Sequence, residues 1–236
     1  MRSVGLLWVV VALSGCQLFV GSEDPMMVAI DAPAPPPPPP CPDDMLEVEL
    51  IGEASNVCID RYEASHSLVD PDVPASVAGA MPWVNVTYDE AVDACHRAGK
   101  RLCTPAEWNA ACQGGKASNV YPYGEDYGLT TCNGDESNWG EALPTGSLET
   151  CQGGLVGLFD MAGNVAEWLE GCQEVPEELG GPCSPFYGRC CAQAPSSYRA
   201  GAVAQQCELW ELVANAQEAY DDSGFRCCKA VDQGGA

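Results

Sequence analysis

The sequence predicts an α+β domain with low secondary-structure content, held together by disulfides. Three observations lead there. Two short helices are signposted by capping residues between Thr87 and Gly115. Beyond Gly115 periodicity fades and Gly, Pro, Asn, Tyr and Cys dominate. And 15 cysteines fall in 236 residues. Long irregular stretches bury little apolar surface in regular packing and need covalent staples.

The N-terminus reads MRSVGLLWVVVALSGC. Arg2 supplies a short positive region and Val4 to Leu13 an apolar one. That run is too short for a transmembrane helix, which takes about 20 residues. Small residues directly before Cys16 resemble a bacterial lipobox, where cleavage precedes an acylated cysteine. Residues 1–15 are therefore read as a lipoprotein signal peptide, with Cys16 as the lipidation site. The alternative is an ordinary secretory signal that happens to contain Cys16. Several acyl chains anchor stably where one does not. Gln17 follows, rather than the Asp that marks inner-membrane retention, so the outer membrane or cell surface is expected. Residues 16–45 form the lipidated, Pro-rich tether. PAPPPPPPCP, Pro33 to Pro42, imposes extended polyproline II geometry and makes a stiff spacer.

The globular domain is expected over residues 46–230, with a tail at 231–236. LEVELIG, from Leu46, alternates and reads as a strand, and CIDRYEAS, Cys58 to Ser65, is another candidate. In VTYDEAVDACHRAGKRL, Thr87 and Glu90 form a capping box and Gly99 ends the helix. In CTPAEWNAACQGG, Thr104 caps, Pro105 takes the first helical position, Glu107 completes a second box and Gly114 and Gly115 terminate. Trp108, Trp139, Trp168 and Trp210 argue for packing rather than disorder in the irregular remainder. No fixed-period repeat is present.

Thirty-four acids against 10 bases give a net charge of -24. Such a surface repels nucleic acid and anionic lipid. Setting Cys16 aside leaves 14 cysteines, an even number suited to a disulfide framework in an exported protein. Zinc is disfavoured because no CxxC pair exists. In GLFDMAGNVAEW, Gly157 to Trp168, three polar side chains (Asp160, Asn164 and Glu167) sit among Leu, Phe, Met and Trp. Polar groups in such company are costly unless something satisfies them.

VNVTYDEAVDACHRAGKRLCTPAEWNAACQGG resembles the central signature of the sulfatase-modifying factor family, whose best-known member is the formylglycine-generating enzyme. YPYG at Tyr121, Cys132-Asn133, GLFDMAGNVAEW and GFRCC from Gly224 to Cys228 follow in the family's order. The resemblance spans Cys58 to Lys229. It implies a variant of the C-type lectin architecture. It also implies calcium held by the Asp160 side chain, the Gly163 and Val165 carbonyls and the Glu167 carboxylate. Mixed carboxylate and carbonyl oxygens suit that ion. Asn164 is expected to bond locally in the turn. The alternative is a polar turn satisfied by backbone and water, with no ion. A second calcium site would begin at Asn133 and the Gly134 carbonyl, completed from Asp135, Glu136, Asn138 or Glu141. Bridges Cys95–Cys227 and Cys112–Cys207 are implied by the same resemblance.

The family's oxidase uses two thiols five positions apart to bind copper(I), a ligand type that suits this ion. Here the matching stretch is SSYRAGAVAQQCELWELV. Its turn, Arg199-Ala200-Gly201-Ala202, is a degraded copy, and Leu212 stands where the second thiol would be. Cys207 is better explained as the structural cysteine, so copper is not expected. His66 and His96 do not make an iron site. Cys190-Cys191 and Cys227-Cys228 read as separate structural bridges. The resulting expectation is a lipid-anchored, non-catalytic, calcium-stabilised binding or scaffold module at the cell envelope. Its partner would be an envelope protein, a peptide or a glycan. Two readings stay open: a divergent formylglycine-generating oxidase or other enzyme of the family modifying a protein or peptide substrate, and a purely structural envelope protein.

Overall fold

Three antiparallel or mixed sheets and two helices carry the fold. The structure is a computed structural model that describes residues 40–51, 53, 56–175 and 188–231. The expected signal peptide, the expected lipidation site Cys16, most of the tether and nearly all of the tail lie outside the described residues. From Pro38 onward the chain forms one compact unit. No described helix is long and apolar enough to cross a membrane.

The first sheet has the order β1-β2-β10-β5, from Met45–Val48, Val57–Asp60, Cys227–Ala230 and Arg101–Leu102. Every pair in it is antiparallel, with Leu46 opposite Ile59 and Cys228 opposite both Ile59 and Arg101. A two-stranded ribbon joins β3 (Ser65–His66) to β4 (Pro74–Ala75). CIDRYEAS is thus two short strands with a bend between them. The second sheet has the order β8-β7-β6-β9, from Glu211–Asn215, Gly188–Ala194, Ala166–Val175 and Ser223–Phe225. β6 runs parallel to β9 and antiparallel to β7.

The helices form where their caps direct. α1 covers Tyr88–Arg97 and α2 covers Pro105–Gln113, each opened by a complete capping box, from Thr87 and Thr104. Each such cap contributes about 1 kcal/mol by satisfying amide groups the helix leaves unpaired. α2 stops at Gly114, whose φ of 60 is left-handed. A Cβ there would lie 2.2 Å from the Gly154 backbone, so chain approach as well as backbone conformation requires glycine.

One core cluster joins Ile59, Trp108, Leu158, Met161 and Leu169. Another joins Val86, Tyr88, Leu102, Trp168 and Phe225. Trp108 and Trp168 pack as the composition predicts. Trp139 and Trp210 do not; they are exposed.

Six bridges are described: Cys41–Cys58, Cys95–Cys227, Cys103–Cys228, Cys112–Cys207, Cys132–Cys151 and Cys172–Cys191. Cys190 is disulfide-bonded too. The adjacent pairs therefore serve separate bridges. Cys41 ties into β2, so the domain starts a few residues before the 45/46 boundary drawn from the sequence. The proline run hid that start, because the bridge partner lies 17 residues on.

Candidate functional site

GLFDMAGNVAEW crosses from the loop before β6 into that strand, at the middle of the domain. Asp160, Gly163 and Asn164 take left-handed φ values of 57, 75 and 59. Asn and Asp tolerate that region better than other side chains, and Gly most easily. A Cβ on Gly163 would come 2.2 Å from the Asn133 carbonyl oxygen. That carbonyl accepts the Asn164 N–H at 2.8 Å. The close approach fixes the turn against the Cys132–Cys151 loop.

Each polar side chain of the motif has a defined partner. Asp160 Oδ2 accepts from the Gly146 N–H at 2.7 Å. Contrary to the expectation from the sequence, Asn164 does not bond locally. Its Oδ1 accepts from the Leu143 N–H at 2.8 Å and from Asn133 Nδ2 at 3.1 Å. Its Nδ2 donates to Glu63 and to the Leu143 carbonyl. Glu167 accepts from Trp108 Nε1 at 2.6 Å and from Arg226 NH2 at 2.7 Å. The contacts of Asn164 and Glu167 reach 21 to 101 residues along the chain, so they join three or more segments.

Two participants were not singled out from the sequence. Glu63 is fully buried, and its Oε1 accepts from the Val165 N–H at 3.0 Å. Arg226 is buried beside Glu167 and also donates to the carbonyls of Asp60 and Phe159. Hydropathy could have flagged Glu63, an acid within a short strand-like run, and Arg226, a base between Phe225 and Cys227.

Three carboxylates thus gather round one guanidinium. Burial pushes the Glu63 carboxyl well above the usual range, and the negative charges of Asp160 and Glu167 add to it. Arg226 and the Val165 N–H pull the other way. Burial also pushes Asp160 up to about 6, against the Gly146 N–H and Arg226. Buried acids in excess of buried bases either hold protons or call for another cation.

The expected calcium ligands fit that need in part. The Gly163 and Val165 carbonyls accept no hydrogen bond from a described residue, and Asp160 Oδ1 has no described donor. These oxygens lie in one turn with Asp160 and Glu167. Glu167, however, already serves Arg226 and Trp108. Among the described residues no group of three His, Cys, Asp or Glu could hold a metal by side chains alone. The carbonyls would have to supply the remaining ligands. The second expected site fits less well. Asn133 Nδ2 donates to the Glu141 carbonyl, and Asn133 Oδ1 and the Gly134 carbonyl both accept from Ser137 Oγ. Glu136 accepts from Tyr127 Oη at 2.6 Å.

The thiol region is also occupied. Cys207 is bonded to Cys112, and Leu212 lies in β8 opposite Ala192. Cys95 is bonded to Cys227. Arg199 of the degraded turn grips Asp221 through both terminal guanidinium nitrogens, at 2.6 and 2.9 Å. The Ala200 carbonyl accepts from Gln205 Nε2 at 2.7 Å. His66 faces the Pro71 carbonyl and the Trp83 ring, while His96 is exposed on α1.

Residues 52–231 match the family described as the sulfatase-modifying factor enzyme 1-like domain. The chain belongs to this family. It is 31% identical over 163 residues to the formylglycine-generating enzyme of Mus musculus, covering 62% of this chain and 43% of that protein. The chain therefore spans less than half the length of this curated relative. Among solved structures, PvdO from Pseudomonas aeruginosa superposes with a TM-score of 0.53 at 18% identity, covering 75% of this chain and 81% of that one. The Major Tropism Determinant P3c variant superposes at 0.53 with 12% identity, covering 80% and 53%. The fold is the C-type-lectin-like variant of the formylglycine-generating enzyme fold. The sulfatase-modifying factor signature in this chain is thus a structural hub: GLFDMAGNVAEW and GFRCC meet at the Glu167–Arg226 pair.

Proposed function

We propose that this chain is an exported, lipid-anchored member of the sulfatase-modifying factor family whose domain is non-catalytic. It acts as a calcium-stabilised binding or scaffold module at the cell envelope. The observation that carries this reading is the state of the cysteines. Every described cysteine is in a disulfide, Cys207 included. A copper(I) oxidase of this family needs a thiolate pair, and a bonded cysteine supplies none. The density of bridges supports an oxidising compartment, as the lipobox at Cys16 does. The acidic surface, at a net charge of -24, argues against nucleic acid as a partner.

Calcium, if held by Asp160, Glu167 and the two free carbonyls, would supply the positive charge the buried acids lack. The turn would then be fixed rather than merely packed. The ligand is an envelope protein, a peptide or a glycan, reached through the loops that this fold displays.

The test is alkylation of the isolated exported protein before any reduction, followed by mass spectrometry. The expected result is no alkylated cysteine in the mature domain, with Cys112 and Cys207 recovered as one cross-linked peptide. A free Cys207 that binds copper(I), together with conversion of a sulfatase-type cysteine peptide in oxygen, would overturn the proposal in favour of a divergent oxidase.

A further inference from the structure

α2 presents two faces. Glu107, Trp108, Ala111 and Cys112 point into the interior. Ala106, Asn109, Ala110 and Gln113 follow the same helical spacing on the other side. Across from them runs the segment after β1, with Glu49, Leu50, Ile51 and Glu53. Between the two lies a cavity of about 250 Å³.

Its chemistry is mixed in a specific way. Leu50, Ile51, Ala106 and Ala110 give it an apolar wall, and Ile51 is 79% exposed. Glu49 and Glu53 add two carboxylates whose oxygens have no ion-pair or hydrogen-bond partner among the described residues. Asn109 lies on the same wall, and its Oδ1 is the one buried side-chain polar atom without a hydrogen-bond partner among the described residues. Orphaned polar atoms are rare in folded proteins. The terminal torsion of an Asn side chain is soft, so this amide can turn to meet a donor.

We propose that this cavity receives a lysine side chain from a protein partner. The volume lies below the roughly 300–1,000 Å³ of small-molecule sites, which favours a single side chain. An apolar stem with a charged tip matches an apolar wall with an acidic rim. A compact ammonium offers three donors from one point and can meet two carboxylates and an amide together. A guanidinium offers its donors in one plane. The surplus of negative charge on the whole chain draws basic segments toward it. The inference rests on the binding-module reading for its biological sense, though not for its geometry.

The test is an NMR titration of the full chain with the peptide acetyl-Gly-Lys-Gly-amide. Two controls replace its lysine by Nε-acetyl-lysine and by norleucine. Shifts at Ala106, Ala110 and Gln113 are expected with the lysine peptide, and much smaller ones with either control. E49Q/E53Q should weaken binding by roughly tenfold, while E125Q/D126N, an equal charge change at another exposed site, leaves it unchanged. All four positions are on the surface, so the spectra report folding directly. Equal binding of the three peptides, equal weakening by both double variants, or no shift at the α2 face would overturn the proposal. None of these outcomes alters the cysteine map, so failure here is separable from failure of the non-catalytic reading.

Discussion

Lys100, half-buried, and Arg226, fully buried, are both cations among carboxylates, yet their surroundings differ. Lys100 bonds Asp60 at 2.6 Å and Asp44 at 2.7 Å, and the Asp44 side chain is 40% exposed. Water shares the load of that second charge. Arg226 faces Glu63, Asp160 and Glu167, with no comparable exposure at any of them. The two clusters meet at Asp60, whose carboxylate serves Lys100 and the Cys227 N–H while its carbonyl serves Arg226. A charge cluster at the edge can be balanced by solvent. One at the centre must be balanced by protons, hydrogen bonds or a bound ion.

The largest way to break this contrast is Arg226→Met. It strands three acids in the interior and should cost about 3–5 kcal/mol, read as a drop in the denaturant midpoint. Loss below about 1 kcal/mol would mean the acids are already protonated and the pair is dispensable.

Calcium sharpens the same contrast. Saturating calcium should raise the melting temperature, by about 2.7 kcal/mol of stability at a hundredfold excess over the dissociation constant. A chelator should reverse it, and Asp160→Asn should remove the response. An unchanged melting curve in both conditions would sink the calcium assignment and leave Arg226 as the site's cation.

Proton linkage gives the next effect. Burial pushes Asp60 up to about 6 from 3.8, against the pull of Lys100 and the Cys227 N–H. Its charged form is therefore costlier in the fold than in the unfolded chain. The stability it contributes is full below pH 4 and falls as pH rises to about 6, by about 2–3 kcal/mol. Asp60→Asn should flatten the pH profile by that share and leave the remaining limb from Glu63 and Asp160. An identical slope in the variant would exclude Asp60 as its source. Asp44→Asn should have the smallest effect, under about 1 kcal/mol at any pH, because its charge stays half in water. A larger loss would erase the distinction between edge and centre.

The sequence exposes the fold unevenly. Both helices are legible because Thr87, Glu90, Thr104, Pro105 and Glu107 act on neighbours within a single turn. β6 is not, since Ala166, Glu167, Trp168 and Leu169 are all buried and show no period-two alternation. The chemistry of the centre is less legible still. Trp108 and Arg226 each stand 59 residues from Glu167, and only folding brings them together. The resemblance locates Asp160, Gly163, Val165 and Glu167, but it gives no hint that Asn164 binds Leu143 and Glu63.

The two cysteines that begin β10 impose an order on biogenesis. Cys227 closes onto Cys95 across 132 residues, and Cys228 closes onto Cys103 across 125. A chain made from its N-terminus shows Cys95 and Cys103 long before either partner arrives. In that interval these thiols are available to each other and to Cys112, and any non-native pair among them has to be undone before β10 can dock. Completion of the domain is thus set by its last strand rather than its first.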